Sequence, residues 1–117
     1  MIKRKEEVRK EQHENFLGGK GLMELNHFLE KEDASGTGRL FSKSVLKPGA
    51  SIGFHTHQGD FETYYILSGR AMVTEDDGSQ HYLGAGDVMF TGNGFGHAIE
   101  NAGEEDLEYL ALILFDK

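Results

Sequence analysis

From residue 22 onward, short apolar runs alternate with breaks rich in glycine, aspartate, asparagine and serine. Leu22 to Leu29 (LMELNHFL) is apolar enough for a strand, and Glu30 to Gly38 (EKEDASGTG) is a polar loop. Arg39 to Leu46 is the next strand, and Lys47-Pro48-Gly49 ends it in a turn. Ser51 to Phe54 and Thr63 to Leu67 read as strands on either side of a polar segment, with Ser68-Gly69 turning the chain again. Ala71 to Thr74 and Gln80 to Leu83 flank Asp76-Asp77-Gly78-Ser79, and Asp-Gly in that setting predicts a hairpin. After Gly84-Ala85-Gly86-Asp87, Val88-Met89-Phe90 reads as a buried strand and Thr91 to Gly96 as a glycine-rich loop. His97 to Asn101 is a short strand, and a turn over Asn101 to Glu105 leads into a long one, Leu107 to Phe115. About eight to ten short strands separated by turns predict an all-β sandwich or barrel. No amphipathic helix is apparent after residue 15.

In Leu107 to Phe115 both faces are apolar, with Leu107, Tyr109, Ala111, Ile113 and Phe115 on one and Leu110, Leu112 and Leu114 on the other. Such a strand is expected to be covered on both sides, inside the sandwich or against a partner. Residues 1–15 differ from the rest. They are densely charged, with Val8 the one strong apolar residue between Ile2 and Phe16, and read as a short helix or a solvated arm. Residues 16–117 then make up one domain, as a chain of 117 residues allows.

Composition narrows the chemistry. There are no cysteines, so disulfides and thiolate metal sites are excluded, and any metal must take nitrogen and oxygen ligands. The net charge of −8 disfavours nucleic acid and anionic membrane surfaces as partners. No signal peptide and no apolar run of membrane-spanning length is seen, so the expected location is cytoplasmic. Sixteen glycines against one proline agree with many tight turns.

The stretch with the most chemistry is His55 to Glu62, HTHQGDFE. In a strand, residues two apart project to one side, so His55 and His57 point together. Gln58-Gly59-Asp60 has turn chemistry, which lets the chain fold back and bring Glu62 to the same point. Two imidazoles and a carboxylate converging on one side make a divalent metal site, with His97 the natural fourth ligand. A lone histidine is more often structural, and His27 is read that way. The Gly18-Gly19-Lys20-Gly21 cluster lacks the spacing of a phosphate loop.

These residues also fall into a known pattern. Gly49, His55, His57, Glu62 and Gly69 resemble the first motif of the cupins at every defining position. Gly86, Gly92, Gly94, His97 and Asn101 resemble the second, except that Gly92 stands where the family usually has proline. The resemblance implies a double-stranded β-helix, the jelly-roll barrel of two packed antiparallel sheets. It implies one divalent metal ion held by His55, His57, Glu62 and His97, and a homodimer.

Three histidines and a carboxylate leave two open positions in an octahedral field, suiting Mn, Fe, Ni or Co and tolerating Zn. Phe41, Tyr64, Met89, Phe95 and Ile99 are candidates for the pocket wall. Tyr64 shares a face with Glu62 and is the candidate catalytic or ligand-contacting residue. Two readings follow. One is a metal-dependent enzyme on a small oxygen-rich molecule (a dioxygenase, lyase, isomerase or decarboxylase). The other is a non-catalytic, metal-dependent binding module for a small carboxylate or sugar. A second ionisable group in the pocket, from His27, Tyr64 or Tyr65, would favour the enzyme. Resemblance to oxalate decarboxylases implies an arginine three residues before the first histidine, but Ile52 stands there. Oxalate decarboxylation is therefore not expected. Arg39 and Arg70 are possible substitutes that the sequence does not bring to the pocket.

Overall fold

The computed structural model describes residues Met1 to Lys117, and its regular structure is almost wholly strand. The ten strands are β1 (Arg9–Glu14), β2 (Leu22–Leu29), β3 (Gly38–Leu46), β4 (Ser51–Thr56), β5 (Asp60–Ser68), β6 (Ala71–Thr74), β7 (Gln80–Leu83), β8 (Val88–Thr91), β9 (Gly96–Asn101) and β10 (Leu107–Phe115). They form two antiparallel sheets, ordered β1-β2-β3-β10-β5-β8 and β4-β9-β6-β7. The two inner faces close on each other as a jelly roll, the expected fold. No helix is long and apolar enough to cross a membrane.

Period-2 alternation decides what enters the core. β10 contributes Leu107, Tyr109, Ala111 and Ile113, and β5 contributes Tyr64 and Ile66. Ile52, Val73 and Ile99 meet them from the smaller sheet, and Met23 and Leu46 close one side.

Two expectations differ from what is observed. Residues 1–15 are neither a helix nor a free arm: a 3-10 turn at Lys5–Glu7 leads into β1, which pairs with β2 from Arg9 opposite His27 to Glu14 opposite Leu22. The inward positions of β1 are polar (Glu11 and His13), so no hydrophobic alternation marked it as a strand. Val88 and Phe90 are not buried. They face outward from an edge strand, each 60% exposed, while Met89 between them is in the core. As expected, the odd face of β10 is buried inside the sandwich as far as Ile113; its even face (Leu110, Leu112 and Leu114) is half-buried by the chain itself.

Candidate metal centre

The site is set at one end of the barrel by a break in register. Ile52 pairs with Ile99 and His55 with His97, so β4 carries one residue more than β9 over the same span. This bulge at Gly53-Phe54 turns Phe54 outward and lets Ile52, His55 and His57 all face inward. Gly53 is required there, because a Cβ at that position would lie 2.1 Å from the Leu17 carbonyl oxygen. His57 lies just beyond β4 but is held by its backbone: its N–H donates to Phe95 O (3.0 Å) and its carbonyl accepts from Gly94 N–H (2.8 Å). Glu62 comes from β5, opposite Thr91 on one side and Ile113 on the other.

The four residues converge. His57 Nε2 is 3.0 Å from Glu62 Oε1 and 3.1 Å from His97 Nε2, and His97 Nε2 is 3.1 Å from both Glu62 Oε1 and His55 Nε2. All four ligand atoms lie within 4.8 Å of one another. His57, Glu62 and His97 are buried, and His55 is half-buried.

The outer nitrogens fix what the inner ones can offer. His55 Nδ1–H donates to the Gly53 carbonyl (2.8 Å), and His57 Nδ1–H donates to the Asp60 carboxylate (2.7 Å). His97 Nδ1 is 2.8 Å from the Thr91 hydroxyl. In neutral His55 and His57 the proton therefore sits on Nδ1, and Nε2 presents a lone pair inward. Lone pairs and a carboxylate meeting in a buried space, with no cationic side chain among them, form a donor set that can hold one metal ion.

With no ion bound, a proton on the inward nitrogens is shared with Glu62, so protons and a metal compete for the same site. Burial lowers the His55 pKa. The bond to Glu62 raises that of His57, and the bond to Asp60 adds to it. Burial pushes the Glu62 carboxyl up, but bonds from His57 and His97 outweigh it, and the net shift is downward. Asp60 follows the same logic: burial is outweighed by bonds from Arg39 and His57.

A cavity of about 310 Å³ opens onto His55, His57 and Glu62. Its wall is largely apolar, with Met23, Leu25, Leu40, Ile52 and Ile113 among the lining residues. Tyr64 lines it, stacked on His97 with ring centroids 5.0 Å apart, its hydroxyl 3.4 Å from His97 Nε2. Burial, with the Glu62 charge second, raises its pKa well above the usual tyrosine value, so the hydroxyl stays protonated. Tyr109 also lines the cavity, and its buried hydroxyl has no hydrogen-bond partner. Ser44, directly across the ladder, favours its anion without forming a bond of acceptable geometry.

Of the other expected wall residues, Met89 and Ile99 belong to the core, Phe95 is 55% exposed and Phe41 packs on Phe28; none lines the cavity. Tyr65 faces outward, and Arg70 lies over the Tyr82 ring at 3.9 Å. His27 does line the cavity, and its Nε2 is 2.8 Å from a Glu11 oxygen whose twin is 2.7 Å from His13 Nε2. Sequence reasoning missed Glu11, His13, Asp60, Thr91 and Tyr109. Asp60 had a signal, since it stands two before Glu62 and shares its face once the strand is taken to begin at Asp60.

A family model described as "Cupin domain" matches residues 42–113. An oxalate-binding protein of Thermotoga maritima is 46% identical over 114 residues, covering 97% of this chain and 93% of that protein. The crystal structure of a predicted oxalate decarboxylase of Thermotoga maritima superposes with a TM-score of 0.93 at 44% identity, covering 99% of this chain and all of that one. Oxalate decarboxylase OxdC of Bacillus subtilis is 35% identical over 76 residues, 62% of this chain but only 20% of that enzyme. The polyketide cyclase RemF of Streptomyces resistomycificus shares the fold alone, with a TM-score of 0.78 at 19% identity. With both motifs in place and the model match spanning more than half its length, the chain belongs to the cupin family.

Proposed function

We propose that this protein holds one divalent metal ion on His55, His57, Glu62 and His97, and through it takes a small oxygen-rich carboxylate of the oxalate class. The observation that carries this reading is the meeting of inward-facing imidazole nitrogens with the Glu62 carboxylate at the base of a cavity. The name of the Thermotoga maritima relative supports the choice of ligand. When bound, such an ion supplies Lewis acidity and open positions for oxygen donors. The chain's own residues shape what reaches it. The apolar wall limits water, and the protonated Tyr64 hydroxyl offers a hydrogen bond beside the ligand set.

The test is elemental analysis of the purified protein and of His57→Ala and Glu62→Ala. Near-stoichiometric Mn, Fe, Ni, Co or Zn in the parent, lost in both variants, supports the reading. A parent purified without chelator that contains no metal and takes none up overturns it.

A catalytic role is favoured by one further observation: His27 and Glu11, an ionisable pair in contact, line the same cavity. Turnover of oxalate or a related acid by the metal-loaded protein, lost in His27→Gln, would separate the enzyme from a passive binder.

We further propose a homodimer built on the outer face of the larger sheet. Leu110 lies opposite Tyr65, and Tyr65 opposite Val88; Leu112 lies opposite Thr63, and Thr63 opposite Phe90. This gives a continuous, largely apolar surface across β10, β5 and β8. Sedimentation of the parent as a dimer, and of Phe90→Glu as a monomer, is the expected result. A parent that sediments as a monomer rules it out.

A further inference from the structure

Arg39 has the wrong parity to face the barrel interior. Along β3, Leu40, Ser42 and Ser44 line the inner side, so simple alternation would send Arg39 outward. The ladder breaks at this residue. Ile113 pairs with Leu40 and Leu114 with Gly38, which leaves Arg39 as the extra residue of a β-bulge. The bulge is built in, because a Cβ on Gly38 would lie 2.6 Å from the Ile113 carbonyl oxygen. A bulge re-aims a side chain. Here it brings Arg39 to the wall of the cavity that holds His55, His57 and Glu62.

The guanidinium is partly anchored and partly free. Nε–H donates to Asp60 Oδ2 at 2.8 Å, and the other Asp60 oxygen accepts from His57 Nδ1–H at 2.7 Å. The Nη groups have no partner in the protein, and the side chain is 46% exposed. Arg39 is the one lysine or arginine lining this cavity, in a chain of net charge −8. An anionic ligand approaching Glu62 and Glu11 needs a fixed positive charge on its path, and a guanidinium fork matches a carboxylate in shape as well as charge.

The geometry points to Arg39 as the anion-recognising, specificity-determining residue of the cavity, engaging through its Nη groups the carboxylate oxygens that a bound ligand leaves free. This rests on the metal-centred reading above and refines it. The cation sits on a strand of the larger sheet, whereas the residue three before His55 is the apolar Ile52 and lines the same cavity. Asp60 orients Arg39 and His57 together, so the cation and the second ligand histidine are set by one carboxylate.

The experiment titrates two probes, oxalate and acetohydroxamate, into manganese-saturated parent, Arg39→Gln and Arg39→Lys by calorimetry. Acetohydroxamate offers a two-oxygen bite with no spare carboxylate. Arg39→Gln is expected to weaken oxalate relative to acetohydroxamate by roughly 10- to 100-fold, the scale of one or two charge-assisted hydrogen bonds. Arg39→Lys, which keeps the charge but loses the fork, is expected to recover part of that ratio. Equal losses for both probes, or an unchanged oxalate affinity, overturn the role of Arg39 and leave the metal-centred reading standing. A parent that takes up manganese but binds neither probe overturns this inference and the ligand assignment together. A parent that takes up no manganese or other divalent metal overturns the metal-centred reading itself.

Discussion

His55 and His97 stand directly opposite each other across β4 and β9, with their Nε2 atoms 3.1 Å apart. Two lone pairs at that distance repel unless a proton or a cation lies between them. Glu62 Oε1, 3.1 Å from the same His97 nitrogen, adds a negative charge that is taken out of water. A divalent ion therefore binds the folded chain far better than the unfolded one. At free metal 100-fold above its Kd the stabilisation is about 2.7 kcal/mol. Calorimetric scans with manganese and with a chelator are expected to differ by several degrees, and His97→Ala is expected to abolish the difference.

Thr91 acts on the site from behind. Its hydroxyl is 2.8 Å from His97 Nδ1, so when Nε2 holds a metal ion and the proton sits on Nδ1, the hydroxyl is in place to accept a hydrogen bond from it. Thr91→Val preserves the shape and removes the acceptor. The expected result is a loss of roughly 10- to 100-fold in metal affinity, measured by competition with a chelating dye. Circular dichroism is expected to stay unchanged. A metal affinity equal to the parent's would mean that His97 needs no such support.

Much of the fold was legible because its signals are local. Turn residues punctuate the strands, and alternation tells inner from outer faces. The ligand set was legible for the same reason: His55 and His57 are two apart, and Glu62 follows one turn later. What escaped depends on register and on contacts distant in sequence. β1 escaped because its inward Glu11 is held by hydrogen bonds from His27 and His13, not by apolar packing. Val88 and Phe90 were misplaced because apolar character does not distinguish an edge strand's outer face from a core. The placement of Arg39 at the cavity, though the residue itself was a candidate, escaped because a bulge reverses the parity that alternation relies on, and Gly38 alone does not announce one.

The Tyr109 hydroxyl is buried beside the cavity and no protein group pairs with it. It stays protonated, because burial and then the Glu62 charge raise its pKa. Removing an unsatisfied buried hydroxyl relieves its desolvation penalty, so Tyr109→Phe is expected to stabilise the ligand-free protein by about 1 kcal/mol. Urea unfolding measures this directly. Weaker oxalate binding in the same variant would show that the hydroxyl is kept for the ligand.

Glu11 fastens the first strand to the rest of the barrel, and this attachment depends on pH. Its two oxygens lie 2.8 Å from His27 Nε2 and 2.7 Å from His13 Nε2. The bond from His27 is the largest influence on its carboxyl. Partial burial opposes it, the bond from His13 reinforces it, and the pKa falls below the reference value of 4.5. A carboxyl with a depressed folded pKa stabilises the folded state fully above its unfolded value. The contribution is lost as pH falls through the folded value. Glu11 is more than a third exposed, so solvent screening limits the effect to at most about 1 kcal/mol. The parent is therefore expected to be more stable than Glu11→Gln at neutral pH. The gap should narrow below pH 4.5 and close once Glu11 is protonated in the folded state. Unfolding midpoints of the two proteins along a pH series measure the gap, and one that stays constant down to the acid limit would remove Glu11 as the fastening group.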